Sequence, residues 1–120
     1  MDSPQAGQQG DPREVFRHLP FPFPGGRFPA NLGAVVQVTV LRGDEPARLV
    51  IHDSDGSWLV GDGMNDPNEP AACVVTHMAH VVEQNSSVAM LATMPPGNAA
   101  ERRNPGELWI VEPHVWDEDD

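Results

Sequence analysis

At 120 residues, of which 39% are apolar, the chain has room for one domain and contains no run long enough for a membrane span. Its 18 Asp and Glu against seven basic residues give a net charge of -11, which repels phosphate backbones and anionic lipid, so nucleic acid and membranes are set aside and a basic protein partner or a cation fits better. All seven basic residues are arginine and Cys73 is the one cysteine, which removes Schiff-base chemistry, the phosphate-loop lysine and any intramolecular disulfide.

Residues 1–30 balance their charges and are rich in Gln, Gly and Pro. Proline removes backbone donors and keeps its neighbours extended, so this stretch reads as a largely extended arm, with one helical turn allowed at residues 11–18. Phe21 and Phe23 alternate with proline, and packing on the protein's own core is favoured over an exposed ligand role. The first ten residues lack the basic and apolar regions of a signal peptide, so the expected compartment is the cytoplasm.

From residue 34 the pattern becomes β-branched. Residues 34–41 alternate around Gln37 and Thr39, predicting a strand with one wet face. The turn formers of residues 42–46 should fold it back onto residues 47–51. These run into a hairpin, because Asp53, Ser54, Asp55, Gly56 and Ser57 separate two short apolar segments. The expected product is a three-stranded meander, followed by an acidic, Pro- and Asn-rich loop at residues 61–70.

Residues 72–76 read as a buried strand, with Thr76 capping a short helix at residues 77–84. A helix beginning near Pro70 is the alternative, since Val74, Val75, Met78, Val81 and Val82 would then share a stripe. A second short helix is expected at residues 86–94, stopped by Pro95, Pro96 and Gly97. Residues 99–103 and 108–112 form a second hairpin about Asn104, Pro105, Gly106 and Glu107. The fold class is therefore α+β: an antiparallel sheet of about five strands, covered on one face by short helices, spanning residues 31–115. The acidic tail, residues 116–120, is too poor in apolar side chains to pack, and Trp116 beside it is expected to be exposed.

Cys73, His77 and His80 are the residues with metal-ligand chemistry. On one helix they would share a stripe and could hold zinc with a loop carboxylate, whereas a strand at Cys73 breaks that set. A cysteine nucleophile paired with either histidine lacks an evident oxyanion pocket. Calcium-loop spacing fails, because the sixth position counted from Asp53 is Trp58 and from Asp62 is Pro67. No cofactor is implied. Trp58 and Trp109 read as core anchors. The acids Asp53, Asp55, Asp62, Asp66 and Glu69 lie in turns and loops, where they keep the surface solvated and can meet a basic partner.

The order Ser57-Trp58, Gly61-Asp62, an acidic loop, Val74-Val75-Thr76-His77, Val81-Val82, Asn85-Ser86-Ser87-Val88, Leu91, Pro95-Pro96-Gly97 and Ala100-Glu101-Arg102 resembles a group of small bacterial proteins of unknown function. It is similar to a domain family counted among candidate immunity proteins of toxin systems, over about residues 48–112. The resemblance implies a compact α+β domain without catalytic residues and a strand at residues 72–76; it carries over no binding residue. The expected function is a non-enzymatic, intracellular protein-interaction module, with toxin neutralisation as its specific form and zinc binding through Cys73, His77 and His80 as the alternative.

Overall fold

The computed structural model describes residues 19–114. One six-stranded sheet runs in the order β4-β1-β3-β2-β5-β6, built from β1 (Gly33–Gln37), β2 (Leu49–His52), β3 (Trp58–Gly61), β4 (Cys73–His77), β5 (Asn98–Glu101) and β6 (Ile110–Pro113). A helical turn α1 (Val38–Leu41), a helix α2 (Met78–Gln84) and a 3-10 helix (Ser86–Thr93) cover one face. This is the α+β architecture expected from the sequence.

The centre of the sheet differs from the expected meander. β1 and β3 run parallel, with Val35 opposite Leu59 and Val36 opposite Val60, while the other pairs are antiparallel. The cause lies at residue 38, where the predicted long strand ends. Val38 donates its N–H to the Ala72 carbonyl, and the chain winds into α1, closed by Arg42 N–H to Val38 O and Gly43 N–H to Val40 O. Val40 thereby reaches the core from a helical turn instead of from an extended strand. The chain re-enters at Leu49 one place further across, and the hairpin returns β3 into the gap beside β1.

That hairpin forms as predicted, with His52 opposite Trp58 and Asp53 N–H bonded to Ser57 O at 2.8 Å. Gly56 takes φ +94°, which favours glycine, and Asp55 accepts from both the backbone N–H and the hydroxyl of Ser57. The strand reading of Cys73 is also the observed one, and it removes the helix from Pro70, but the strand is not buried as expected: β4 lies at the edge of the sheet with Val74 and Val75 exposed. Thr76 does not cap: it pairs opposite Ala34 inside β4, and α2 starts after His77, which gives no side-chain cap. The predicted helix at residues 86–94 is a 3-10 helix, with Val88, Leu91 and Ala92 inward.

The core fills the space between Ala34, Val36, Val50, Trp58, Val60 and Ala100 on the sheet and Met78, Val81, Val88 and Leu91 on the helices. Residues 19–28 join it. Phe23 is 5% exposed, its ring 5.3 Å from Phe21, 6.1 Å from Phe28 and 6.2 Å from Trp58. A 3-10 turn (Pro24–Gly26) lets the proline-interrupted segment bend over the sheet, so this part of the expected arm belongs to the domain. The helical turn expected at residues 11–18, Trp116 and the acidic tail lie outside the described residues.

Candidate functional site

The second face of the sheet carries the site. Strand pairing sets Val75, Val35, Leu59, Ile51 and Ala99 in one row across it, and a neighbouring row holds Cys73, Gln37, Gly61, Leu49 and Glu101. Apart from Gln37, the central positions of both rows are apolar or glycine. Gly61 keeps the floor low, because a Cβ there would come within 3.1 Å of Gln37 Oε1. Instead of helices, the acidic loop and His114 border this face, leaving a groove of about 700 Å³ lined by Val35, Leu49, Ile51 and Leu59 below and by Met64 to Asn68 at the side.

A buried carboxylate builds the loop wall. Asp62 is fully buried and accepts from the Thr39 hydroxyl at 2.6 Å, the Asn65 amide at 2.7 Å and the backbone N–H groups of Met64 and Asn65 at 2.8 Å. Burial pushes its pKa up, but these four donors outweigh it and hold the carboxyl down at about 2. Gln37 ties the loop to the sheet from the other side: its oxygen accepts from Asp62 N–H at 2.8 Å and its amide donates to Asn65 O at 3.0 Å. Cys73 Sγ donates to Pro67 O at 3.5 Å, closing the wall against β4.

The five acids assigned to a partner surface fall in two loops, one at each end of β3. Asp53 and Asp55 sit in the hairpin turn where β3 begins, and Asp62, Asp66 and Glu69 belong to the loop where it ends. Four residues of strand separate the groups, roughly 13 Å. Asp62 was expected to solvate its loop, but it is the buried peg that folds it; Asp66 and Glu69 are exposed. Asp66 lines the groove.

The zinc alternative has no support. Cys73 and His77 occupy opposite ends of β4, again roughly 13 Å apart, and only His77 and His80 approach, edge to face at 5.6 Å. Among the described residues no three His, Cys, Asp or Glu side chains are grouped to hold a metal ion. Burial, aided by the charge of Asp62, pushes the Cys73 thiol pKa up, opposite to what a nucleophile needs.

Beside the groove lies a second feature that the sequence reading passed over. Arg48, Arg102, Arg103, Glu101 and Asn104 line a cleft of about 670 Å³ that shares Leu49, Gly63 and Met64 with the groove. Arg102 is buried and serves the fold: it donates to Ala47 O at 3.2 Å, Ser87 Oγ at 2.6 Å and Pro105 O at 2.7 Å, and its guanidinium lies 4.0 Å over the Trp109 ring. Trp109 in turn donates to Ser87 O at 3.2 Å. One sequence signal for the open face existed. Val35-Val36, Leu49-Val50-Ile51 and Trp58-Leu59-Val60 are unbroken apolar runs, the mark of strands buried on both faces.

No protein-family model matches the chain, and no curated protein or solved structure matches it. No helix among the described residues is long and apolar enough to cross a membrane.

Proposed function

We propose that this protein is a non-enzymatic interaction module that holds a basic, partly apolar segment of a partner protein in the groove on the sheet face opposite α1 and α2. One observation carries the reading: β1, β3 and β2 present apolar side chains on both faces, whereas the helices among the described residues cover only one. Strands of that composition, with a parallel pair at the centre, belong between two layers. A partner segment supplies the second. Asp66 on the groove wall, Glu69 in the same loop and the net charge of -11 favour a basic partner and speed its encounter. Neutralisation of a toxin in the cytoplasm, the role implied by the sequence resemblance, is one form of this activity.

The test is capture of partners from the source cell lysate at low and moderate salt, comparing wild type with Leu59→Glu and with Asp66→Asn/Glu69→Gln. The expected outcome is a salt-sensitive partner that Leu59→Glu loses and the double variant holds several-fold more weakly. If both variants retain the partner, the groove is not its site; if wild type captures none at low salt, the function is wrong.

A further inference from the structure

We infer that Arg48 and Arg103, at the end of the groove, receive the terminal carboxylate of the bound segment, so that the protein recognises the C-terminal end of a basic, apolar chain. The inference rests on the groove being the binding surface and adds the direction and length of what it holds.

The arginine cleft opens into the groove across Leu49, Gly63 and Met64, which line both. Gly63 holds the wall back: it has φ +73°, and a Cβ there would meet Arg48 Cβ at 3.1 Å. The Arg48 guanidinium is fixed by its own protein, with Nε donating to Arg103 O at 2.9 Å and Nη1 to Glu45 Oε1 at 3.1 Å and Asp62 O at 2.8 Å. Its Nη2 has no acceptor among the described residues. Neither has the Arg103 guanidinium, which is exposed. A carboxylate offers two oxygens to two such donors, and pre-positioning lowers the entropic cost of binding it. Arg102 is taken up by the fold, and Arg48 and Arg103 are matched by Glu45 and Glu101, so what the corner offers is the unused Nη2 of Arg48 and the exposed Arg103 guanidinium as donors, not an excess of positive charge.

The groove therefore runs from the Asp66 carboxylate at one end to arginine donors at the other. Asp66 and Cys73 mark the β4 side and Arg48 precedes Leu49 at the start of β2, three strand spacings away, about 14 Å. An extended chain covers that distance in about four residues at roughly 3.3 Å each. The fitting segment ends at the arginines, lays apolar side chains on Leu49 and Leu59, and places a cationic side chain by Asp66. The carboxylate that a basic, apolar segment brings without an acidic residue is its own terminus.

The experiment uses a randomised pentapeptide library in two forms, free acid and C-terminal amide, captured on the immobilised full-length chain and read by mass spectrometry. Free-acid peptides should be held at least about tenfold better than their amides, with Lys or Arg enriched toward the N-terminal end. Arg103→Gln, an exposed change, should erase that preference while leaving the thermal midpoint unmoved. Equal capture of the two forms, or a preference that survives Arg103→Gln, overturns the inference; if Leu59→Glu then abolishes capture, the groove itself stands. Capture of amidated peptides through an internal Glu or Asp also overturns it, assigning the carboxylate to a side chain. If neither form is captured the inference falls, and the groove is judged by the lysate experiment alone.

Discussion

His52 and Trp58, opposite each other in β2 and β3, lie face to face with ring centroids 3.9 Å apart and planes 13° from parallel. His52 is buried, donates Nδ1–H to Met94 O at 2.7 Å and takes the edge of Phe21 at 5.0 Å. Burial holds its pKa below the ordinary 6.5, against smaller upward effects of the Met94 bond, Asp53 and Asp55. The unfolded chain therefore binds the proton first as pH drops. Stability should be level above about pH 7 and fall as pH goes below 6.5, with a slope of at most about 1.4 kcal/mol per pH unit for one proton. Urea midpoints from pH 8 to 5 measure it, and His52→Phe should flatten the curve.

Asp62 gives the opposite kind of titration at lower pH. Its pKa falls from 3.8 to about 2 on folding, so its contribution, about 2 kcal/mol, is complete above pH 4 and disappears as pH falls toward 2. Asp62→Asn sets an amide N–H against the donors of Thr39 or Asn65 and should cost about 2–4 kcal/mol in chemical denaturation. Amide exchange in residues 62–70 should rise with it.

Arg102 binds three separate segments through Ala47, Ser87 and Pro105. A lysine cannot reproduce that fork, and Arg102→Lys should lower stability by about 1–3 kcal/mol. A loss within about 0.5 kcal/mol would show that these bonds are made equally well with water.

Phe23 tests whether residues 19–28 belong to the domain. With the ring buried among Phe21, Phe28 and Trp58, Phe23→Ala should cost about 3–5 kcal/mol. An unchanged thermal midpoint would put the arm outside the folded unit.

Ala71, just before β4, has φ +63°, a left-handed conformation that costs a non-glycine residue about 1–2 kcal/mol. Ala71→Gly removes that strain and gives back part of the gain as chain entropy, so a net stabilisation of about 0.5 kcal/mol is expected from the urea midpoint.

Local chemistry made much of this fold readable. Asp53, Asp55, Gly56 and Ser57 specify their turn with bonds no more than a few residues long, and the turn about Pro105-Gly106 between β5 and β6 is closed in the same way by Glu107 N–H to Asn104 O. What escaped depends on partners distant in sequence. Val38 makes the last bond of the β1–β4 ladder, to Ala72 O, and Thr39 just beyond it donates to Asp62, 23 residues away, which is buried there. A carboxylate in an Asp- and Asn-rich stretch gives no sign of which acid will be the buried one. Likewise, the apolar runs of β1 to β3 were visible, but their meaning required knowing on which face the helices settle.

Among the described residues the sheet ends in β4 on one border and β6 on the other, with Val75 51% and Ile110 62% exposed on them. Each border is a row of backbone groups that another strand could continue, and because the two borders differ, β6 of one molecule meeting β4 of the next would extend without closing. Mutual repulsion between copies bearing a charge of -11 opposes that growth. The acidic residues thus have a colloidal role beside any recognition they perform, and acidification that discharges them should turn a dispersed protein into a fibre-forming one.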